Sequence, residues 1–260
     1  MDSERRELIS LIVARGLTRK FGDFTAVDHI DLSVRPGEIY GFLGPNGAGK
    51  TTTIKMLTGV LKPTEGEVEI LGMKMSTHEI EIKKSIGVIP DEPKIYSHLT
   101  GKEFLDFIIE IYDLKEEEID KRIAELCEAF KVDYLGKRVG EMSHGMKQKL
   151  MLVSVFMRRP RVIFLDEPTV GLDAKSARIL KLLLRKYADE GAAIFLTTHI
   201  LEIAEKMCDR IGIINKGRLI AEGTMEELRK LAGQKEASLE DLFLQLTAEG
   251  EEIEEIMKEL

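Results

Sequence analysis

Across residues 8–43 apolar and polar positions alternate at a period of two, which predicts strands over 8–14, 27–34 and 38–43. Gly22-Asp23 and Pro36-Gly37 separate them as turns. The spacing becomes helical over 51–57 (TTTIKML), and a turn-rich connector at 59–66 leads to a further strand at 67–71. A short helix over 80–85 and the strand IGVI at 86–89 follow. From Thr100 to about Met157 every segment reads as helix, with apolar residues at 104, 105, 108, 111 and 112, then at 119, 123, 126 and 130. Residues 91–155 therefore read as a helical insertion between the halves of an α/β core. The core resumes with RVIFL at 161–165, an unbroken apolar run suited to a parallel strand covered on both faces. A helix at 174–190, a strand at 192–196, a helix at 200–207 and a hairpin of 211–214 with 218–221 over Asn215-Lys216-Gly217 complete the alternation. Such an order predicts a doubly covered α/β sheet that binds ligands at the C-terminal ends of its strands. The tail at 250–260 is acidic and amphipathic, with Ile253, Ile256, Met257 and Leu260 on one face, and is read as packing on its own domain.

Composition narrows the function more than the fold. A hydrophobic fraction of 43% supports a real core, and a net charge of −8 argues against a general nucleic-acid footprint. Cys127 and Cys208 lie far apart in helical apolar patterns, without metal-ligand spacing, and read as small core residues. The opening MDSERRELISLIV carries acids and lacks the long apolar region of a signal peptide. No stretch approaches the ~18 apolar residues of a membrane span. The expectation is an intracellular protein that does not itself cross a membrane.

Two stretches carry chemistry. GPNGAGKT, formed by Gly44, Pro45, Asn46, Gly47, Ala48, Gly49, Lys50 and Thr51 and continued by Thr52, fits G-x-x-x-x-G-K-[ST]. Its glycines let the backbone turn sharply and aim successive N–H groups at an anion, at a helix N-terminus. Lys50 is the counter-charge for β- and γ-phosphates, and the Thr51 hydroxyl is a Mg²⁺ ligand. RVIFLDEPTVGLD ends its apolar strand on Asp166 and Glu167. Parallel strands end on one edge, so these carboxylates fall beside the phosphate loop. Asp166 is placed to hold Mg²⁺ through water, and Glu167 to orient and deprotonate an attacking water. Phe21 reads either as a loop aromatic tucked into the core or as a flat ring on which adenine stacks.

These stretches, with MSHGMKQKL, CDRIGIINKGRLIAEGT and SLEDLFLQLT, resemble the ATP-binding subunit of an ABC transporter from about residue 11 to 247. The wording is closest to the single-domain ATPases of drug- and polysaccharide-type exporters. The resemblance implies a P-loop NTPase fold, in which a mixed, mainly parallel sheet flanked by helices carries an antiparallel β subdomain and an all-helical insertion. It implies one ABC ATPase domain over 1–260: core and β subdomain at 8–90 and 156–233, a helical subdomain at 91–155, and a helical tail at 234–260. Ser143 and Gly145 stand in the signature position, where the resemblance has them contact the γ-phosphate of an ATP held by the opposite subunit. From the residues alone, Ser143 reads as a helix N-cap. Gly171, Leu172 and Asp173 match the D-loop, which in the family spans the dimer interface, and His199 the switch histidine. Phe21 matches the adenine-stacking aromatic, with Val27 expected beside the base. Two departures stand out. Asp91, followed by Glu92, occupies the place of a glutamine that touches Mg²⁺ and the attacking water, so Asp91 becomes a candidate metal ligand. His144 and Met146 replace a glycine and a glutamine within the signature.

The resemblance implies an ATPase using ATP and Mg²⁺, forming a homodimer on ATP binding. It would serve transmembrane permease subunits, those of an exporter by the branch it resembles, from the cytoplasmic face of the membrane, and no nucleic-acid partner is expected. The competing reading is a soluble ABC-type ATPase acting on nucleic acid or ribosomes, whose members carry two ATPase domains or a long coiled-coil insertion. A nucleotide-binding regulator without turnover is the third, against which Glu167 and His199 argue.

Overall fold

The computed structural model describes residues 10–114, 118–233 and 236–247. The expected tail at 250–260 lies outside them, as do residues 8 and 9 of the first expected strand.

Strand β1 (Ile12–Phe21) and strand β2 (Phe24–Val34) form an antiparallel hairpin over Gly22-Asp23, with Phe21 opposite Phe24. Both strands run closer to the turn than the alternation predicts. The reason is a series of register shifts between Ala14 and Lys20, each of which inserts a residue and breaks the period of two. Strands β4 (Glu65–Ile70) and β5 (Met73–Lys74) complete a four-stranded sheet in the order β2-β1-β4-β5.

The second sheet has six strands: β3 (Ile39–Leu43), β6 (Ile86–Ile89), β7 (Val162–Asp166), β8 (Ala193–Thr197), β9 (Arg210–Asn215) and β10 (Arg218–Gly223). Their order is β10-β9-β3-β8-β7-β6, parallel from β9 to β6, with β10 turned back on β9. Every residue of β3, β7 and β8 is buried. One face of these strands (Ile163, Leu165, Ile194, Leu196) joins the core that the inserted helices share. The opposite face (Tyr40, Phe42, Phe164, Phe195) packs with the four-stranded sheet. That is why their sequences are apolar without alternation.

Helices α1 (Lys50–Leu57), α2 (Glu79–Ser85), α6 (Ala174–Asp189), α7 (Leu201–Met207), α8 (Met225–Leu231) and α9 (Leu239–Thr247) flank the sheets. The insertion holds α3 (Gly101–Ile111), α4 (Ile119–Phe130) and α5 (His144–Phe156). Thr100 opens α3 through a capping box with Glu103. The insertion is less helical than its composition suggests. Lys131, in a left-handed conformation, ends α4, and the chain then runs without helix, through a turn closed by the Lys137 N–H on the Tyr134 carbonyl and a bridge of Thr100 to Arg138, until one 3₁₀ turn at Val139–Glu141. No helix among the described residues is long and apolar enough to cross a membrane.

Candidate active site

The site is assembled by strand register. Phe42 of β3 pairs with Thr197 of β8, and Thr197 pairs with Asp166 of β7, so three strands end at one level. Each C-terminal end then delivers one part of the chemistry.

From β3 the chain enters the loop of Gly44, Pro45, Asn46, Gly47, Ala48, Gly49, Lys50 and Thr51. Gly44 passes so close to β9 that a Cβ on it would stand 2.3 Å from the Ile214 carbonyl oxygen. Gly49 begins α1 in a left-handed conformation (φ 112°) beside the Ala26 carbonyl, which only glycine accommodates. Ala48 is buried and its carbonyl accepts from the Gly217 N–H, while Asn46, Gly47 and Thr51 are exposed and Thr52 is half-buried. No side chain caps α1, so its first N–H groups are not taken up by a capping side chain. Lys50 Nζ donates to the carbonyls of Gly44 (2.6 Å) and Pro45 (3.1 Å). Burial pulls this ammonium below the usual lysine range, against the attraction of Glu167 and Asp166.

At the end of β7, Asp166 is 4% exposed and accepts the Thr197 hydroxyl. Glu167 follows with φ 48°, a conformation costly for a residue with a Cβ. It is held there by its N–H, which donates to the Thr197 carbonyl and hydroxyl. At the end of β8, the His199 N–H donates to Glu167 Oε2 at 3.2 Å and the imidazole Nδ1 lies 2.9 Å from the same oxygen. Asp91 follows β6, the strand beside β7. Burial, then the nearby Asp166, Glu167 and Glu92, push its carboxyl above the usual carboxylate range, against the pull of His144. Asp91, exposed just after β6, is therefore within electrostatic reach of Asp166 and Glu167. Thr51, Asp166 and Asp91 offer only hydroxyl and carboxylate oxygens, the donor set that a hard cation such as Mg²⁺ takes together with phosphate oxygens and water. Among the described residues no group of three His, Cys, Asp or Glu is placed to hold a metal ion.

Phe21 is 47% exposed at the end of β1, with the Arg19 guanidinium 4.5 Å from its ring centroid. Val27 is corrected. Its side chain is fully buried, with Cγ2 beneath Gly49, so it supports the loop and offers no surface to a base. Alternation and motif spacing also pass over Phe24, which faces Phe21 across the hairpin and is 65% exposed.

The signature residues sit elsewhere. Ser143 is the N-cap of α5, its hydroxyl accepting from the Met146 N–H, and Gly145 lies against the Gly171 carbonyl. Among the described residues, neither bonds to the loop at 44–51. Asp173 caps α6 through Ser176 and pairs with Lys149. Spacing along the chain gives Thr197 and Lys149 no role of their own, and only their distant partners reveal one.

Residues 27–170 match the family described as ABC transporter. Over 241 residues the chain is 37% identical to the probable multidrug ABC transporter ATP-binding protein YbhF of Escherichia coli, covering 91% of this chain and 42% of that protein. It therefore spans less than half of that relative's length. It is 39% identical over 223 residues to the bacitracin transport ATP-binding protein BcrA of Bacillus licheniformis, covering 85% and 72%. With the ABC-type transporter ATP-binding protein EcsA of Bacillus subtilis it shares 34% over 245 residues, covering 93% and 98%. Among solved structures, it superposes on the ATP-binding subunit of an ABC transporter with a TM-score of 0.86 at 33% identity, covering 92% of this chain and 100% of the other. A dimeric post-hydrolysis state of an ATP-binding cassette, bound to ADP and Pi, superposes with a TM-score of 0.74 at 25% identity, covering 82% and 98%.

Proposed function

We propose that this chain, which belongs to the ABC transporter family, is an ATP-hydrolysing subunit that drives export through separate permease subunits on the cytoplasmic face of a membrane. The observation that carries the reading is the common level at which β3, β8 and β7 end, which sets the phosphate loop, Thr197-Thr198-His199 and Asp166-Glu167 around one space. The loop N–H groups and Lys50 bind the β- and γ-phosphates, and Phe21 takes the adenine on its open surface. Glu167, aimed by His199, takes a proton from the water that attacks the γ-phosphorus, and ADP leaves with the electron pair of the broken P–O bond. Thr51, Asp166 and Asp91 would hold Mg²⁺, which would supply neutralisation of the charge that develops on the phosphates.

The fold itself suggests that one chain is half a site. Ser143 and Gly145 stand on α5, apart from the loop at 44–51, so a second copy supplies them, and the γ-phosphate bridges the two chains. Hydrolysis removes that bridge and the dimer opens. A groove of about 470 Å³ between α3 and the core, with Phe104, Phe107 and Tyr112 on one wall and Ile86 and Val88 on the other, is offered to a permease helix. Val60 and Tyr96 stand exposed at its rim.

Gel filtration of Glu167→Gln with ATP tests the reading. A stable ATP-bound dimer is expected, and a monomer at saturating ATP overturns the two-chain site. Lys50→Ala should abolish turnover, and full retained activity would remove the phosphate-loop role. Co-purification with a membrane permease, against stimulation by RNA or DNA, separates transport from a soluble ATPase role.

A further inference from the structure

Helix α5 does more than present Ser143. Lys149 Nζ lies 2.6 Å from Asp173 Oδ2, and the Lys149 side chain is only 15% exposed. Gly145 packs directly on the backbone of Gly171. A Cβ on Gly145 would stand 2.4 Å from the Gly171 carbonyl oxygen, and a Cβ on Gly171 would stand 2.4 Å from the His144 ring. With no side chain between them, neither backbone slides without carrying the other. Gln148, fully buried, reaches the Pro168 carbonyl with Nε2 at 3.5 Å. The segment fastened in this way begins one residue after Glu167, which is itself held in its unfavourable φ.

The same contact leaves two buried polar atoms unpaired. Gln148 Oε1 and the Thr169 hydroxyl are both buried and, among the described residues, without a hydrogen-bond partner. Buried orphans of this kind are uncommon and call for an explanation. These two are complementary, an acceptor and a donor, and Thr169 adjoins the Pro168 that Gln148 already touches.

We infer that Lys149 is a positioning residue that ties the signature end of α5 to the segment from Glu167 to Asp173, so that docking of α5 on a nucleotide held by a second copy sets Glu167 in its own chain. The inference rests on the two-chain site proposed above. Each chain's signature serves the partner's ATP while its Glu167 serves its own, so the tether makes the two ATP sites of a dimer depend on each other. Lys149 touches neither nucleotide nor water in this scheme. It acts through Asp173, which is anchored as the cap of α6.

The test compares the full chain with Lys149→Met and Lys149→Arg, reading ATP turnover against ATP concentration at constant excess Mg²⁺. ATP affinity is measured separately with a fluorescent analogue, and folding by the thermal midpoint. The wild-type chain is expected to show a Hill coefficient approaching about 2, the number of sites in the dimer. Lys149→Met should bring it to about 1 and lower kcat at least about tenfold, with the affinity of the single chain for the ATP analogue unchanged. Lys149→Arg should restore both, because a guanidinium keeps the ion pair with Asp173. A brace that only stabilises the fold would lower the thermal midpoint and leave the Hill coefficient alone. A Lys149→Met protein with wild-type kcat and cooperativity, or a wild-type enzyme that turns over without cooperativity, overturns the inference and leaves the ATPase reading standing. A wild-type chain with no turnover overturns both. Should Lys149→Met not fold, Lys149→Gln, which keeps a donor but not the charge, carries the same expectation.

Discussion

Glu167 Oε2 receives both the His199 backbone N–H at 3.2 Å and the His199 Nδ1 at 2.9 Å, so one residue aims the carboxylate with two atoms. The histidine side chain is 58% exposed and the glutamate 14%. The pair thus has a wet side, from which water reaches it, and a dry side against β8. Because the backbone bond survives substitution, the side chain's share of the work is separable.

His199→Ala should leave the fold intact and lower kcat at least about tenfold, each factor of ten being about 1.4 kcal/mol of barrier. ATP affinity should change less than kcat. Steady-state kinetics with a thermal melt as control checks this, and an unchanged kcat would detach the imidazole from catalysis.

Asp91→Gln removes a carboxyl that Asp166, Glu167 and Glu92 crowd. If Asp91 is a ligand, the Mg²⁺ concentration for half-maximal turnover rises several-fold, since one hard oxygen donor is weakened. A Mg²⁺ titration of ATPase rate reads it directly. Superimposable curves would take Asp91 out of the metal site.

Tyr96→Arg places a charge at the exposed rim of the groove between α3 and the core. Turnover of the isolated chain should stay within about twofold, because exposed substitutions away from the site cost little. Co-purification with a permease should be lost. Retained co-purification would place the docking surface elsewhere.

Acid should erase the contribution of the Lys149–Asp173 pair. Lys149 first, then the N–H and hydroxyl of Ser176, hold the Asp173 carboxyl well below the usual carboxylate range. A group with a depressed folded pKa binds fewer protons folded than unfolded. Its stabilisation is therefore complete above the unfolded value, near pH ~3.9, and is lost as pH falls toward the folded value. Urea unfolding of the wild type and Lys149→Met should differ by a constant amount above about pH 5, and the gap should narrow progressively as pH falls below about 4 toward the folded value. A gap that persists at the lowest pH would assign the effect to packing.

What the sequence made legible lies where function needs neighbours in the chain. The turn-forming glycines, Lys50 and Thr51 are contiguous, and Asp166 and Glu167 directly follow an apolar strand, so motif and element could be read together. The α/β order was equally plain, because β3, β7 and β8 are buried on both faces and therefore apolar throughout. The strand at 15–21 was hidden by bulges that break the period of two, and the non-helical run after α4 by its apolar residues, which pack into the helical core from an irregular backbone. Val27 shows the limit of alternation. It identifies an inward residue but not what lies above it, which proves to be Gly49.

The chain's own order thus determined which groups are present: a phosphate loop, a strand-end carboxylate pair, a histidine and a helix-capping serine. Only the tertiary structure decided how they meet. Strand β8 had to insert between β3 and β7 before Thr197 could hold Asp166 and His199 could reach Glu167. The Lys149–Asp173 pair and the Gly145–Gly171 contact arise only when α5 packs on the loop after β7. The physical reason is range. Turn and capping preferences act over a few residues, whereas strand order and helix docking are settled by burial between segments distant in the chain, which local spacing does not encode.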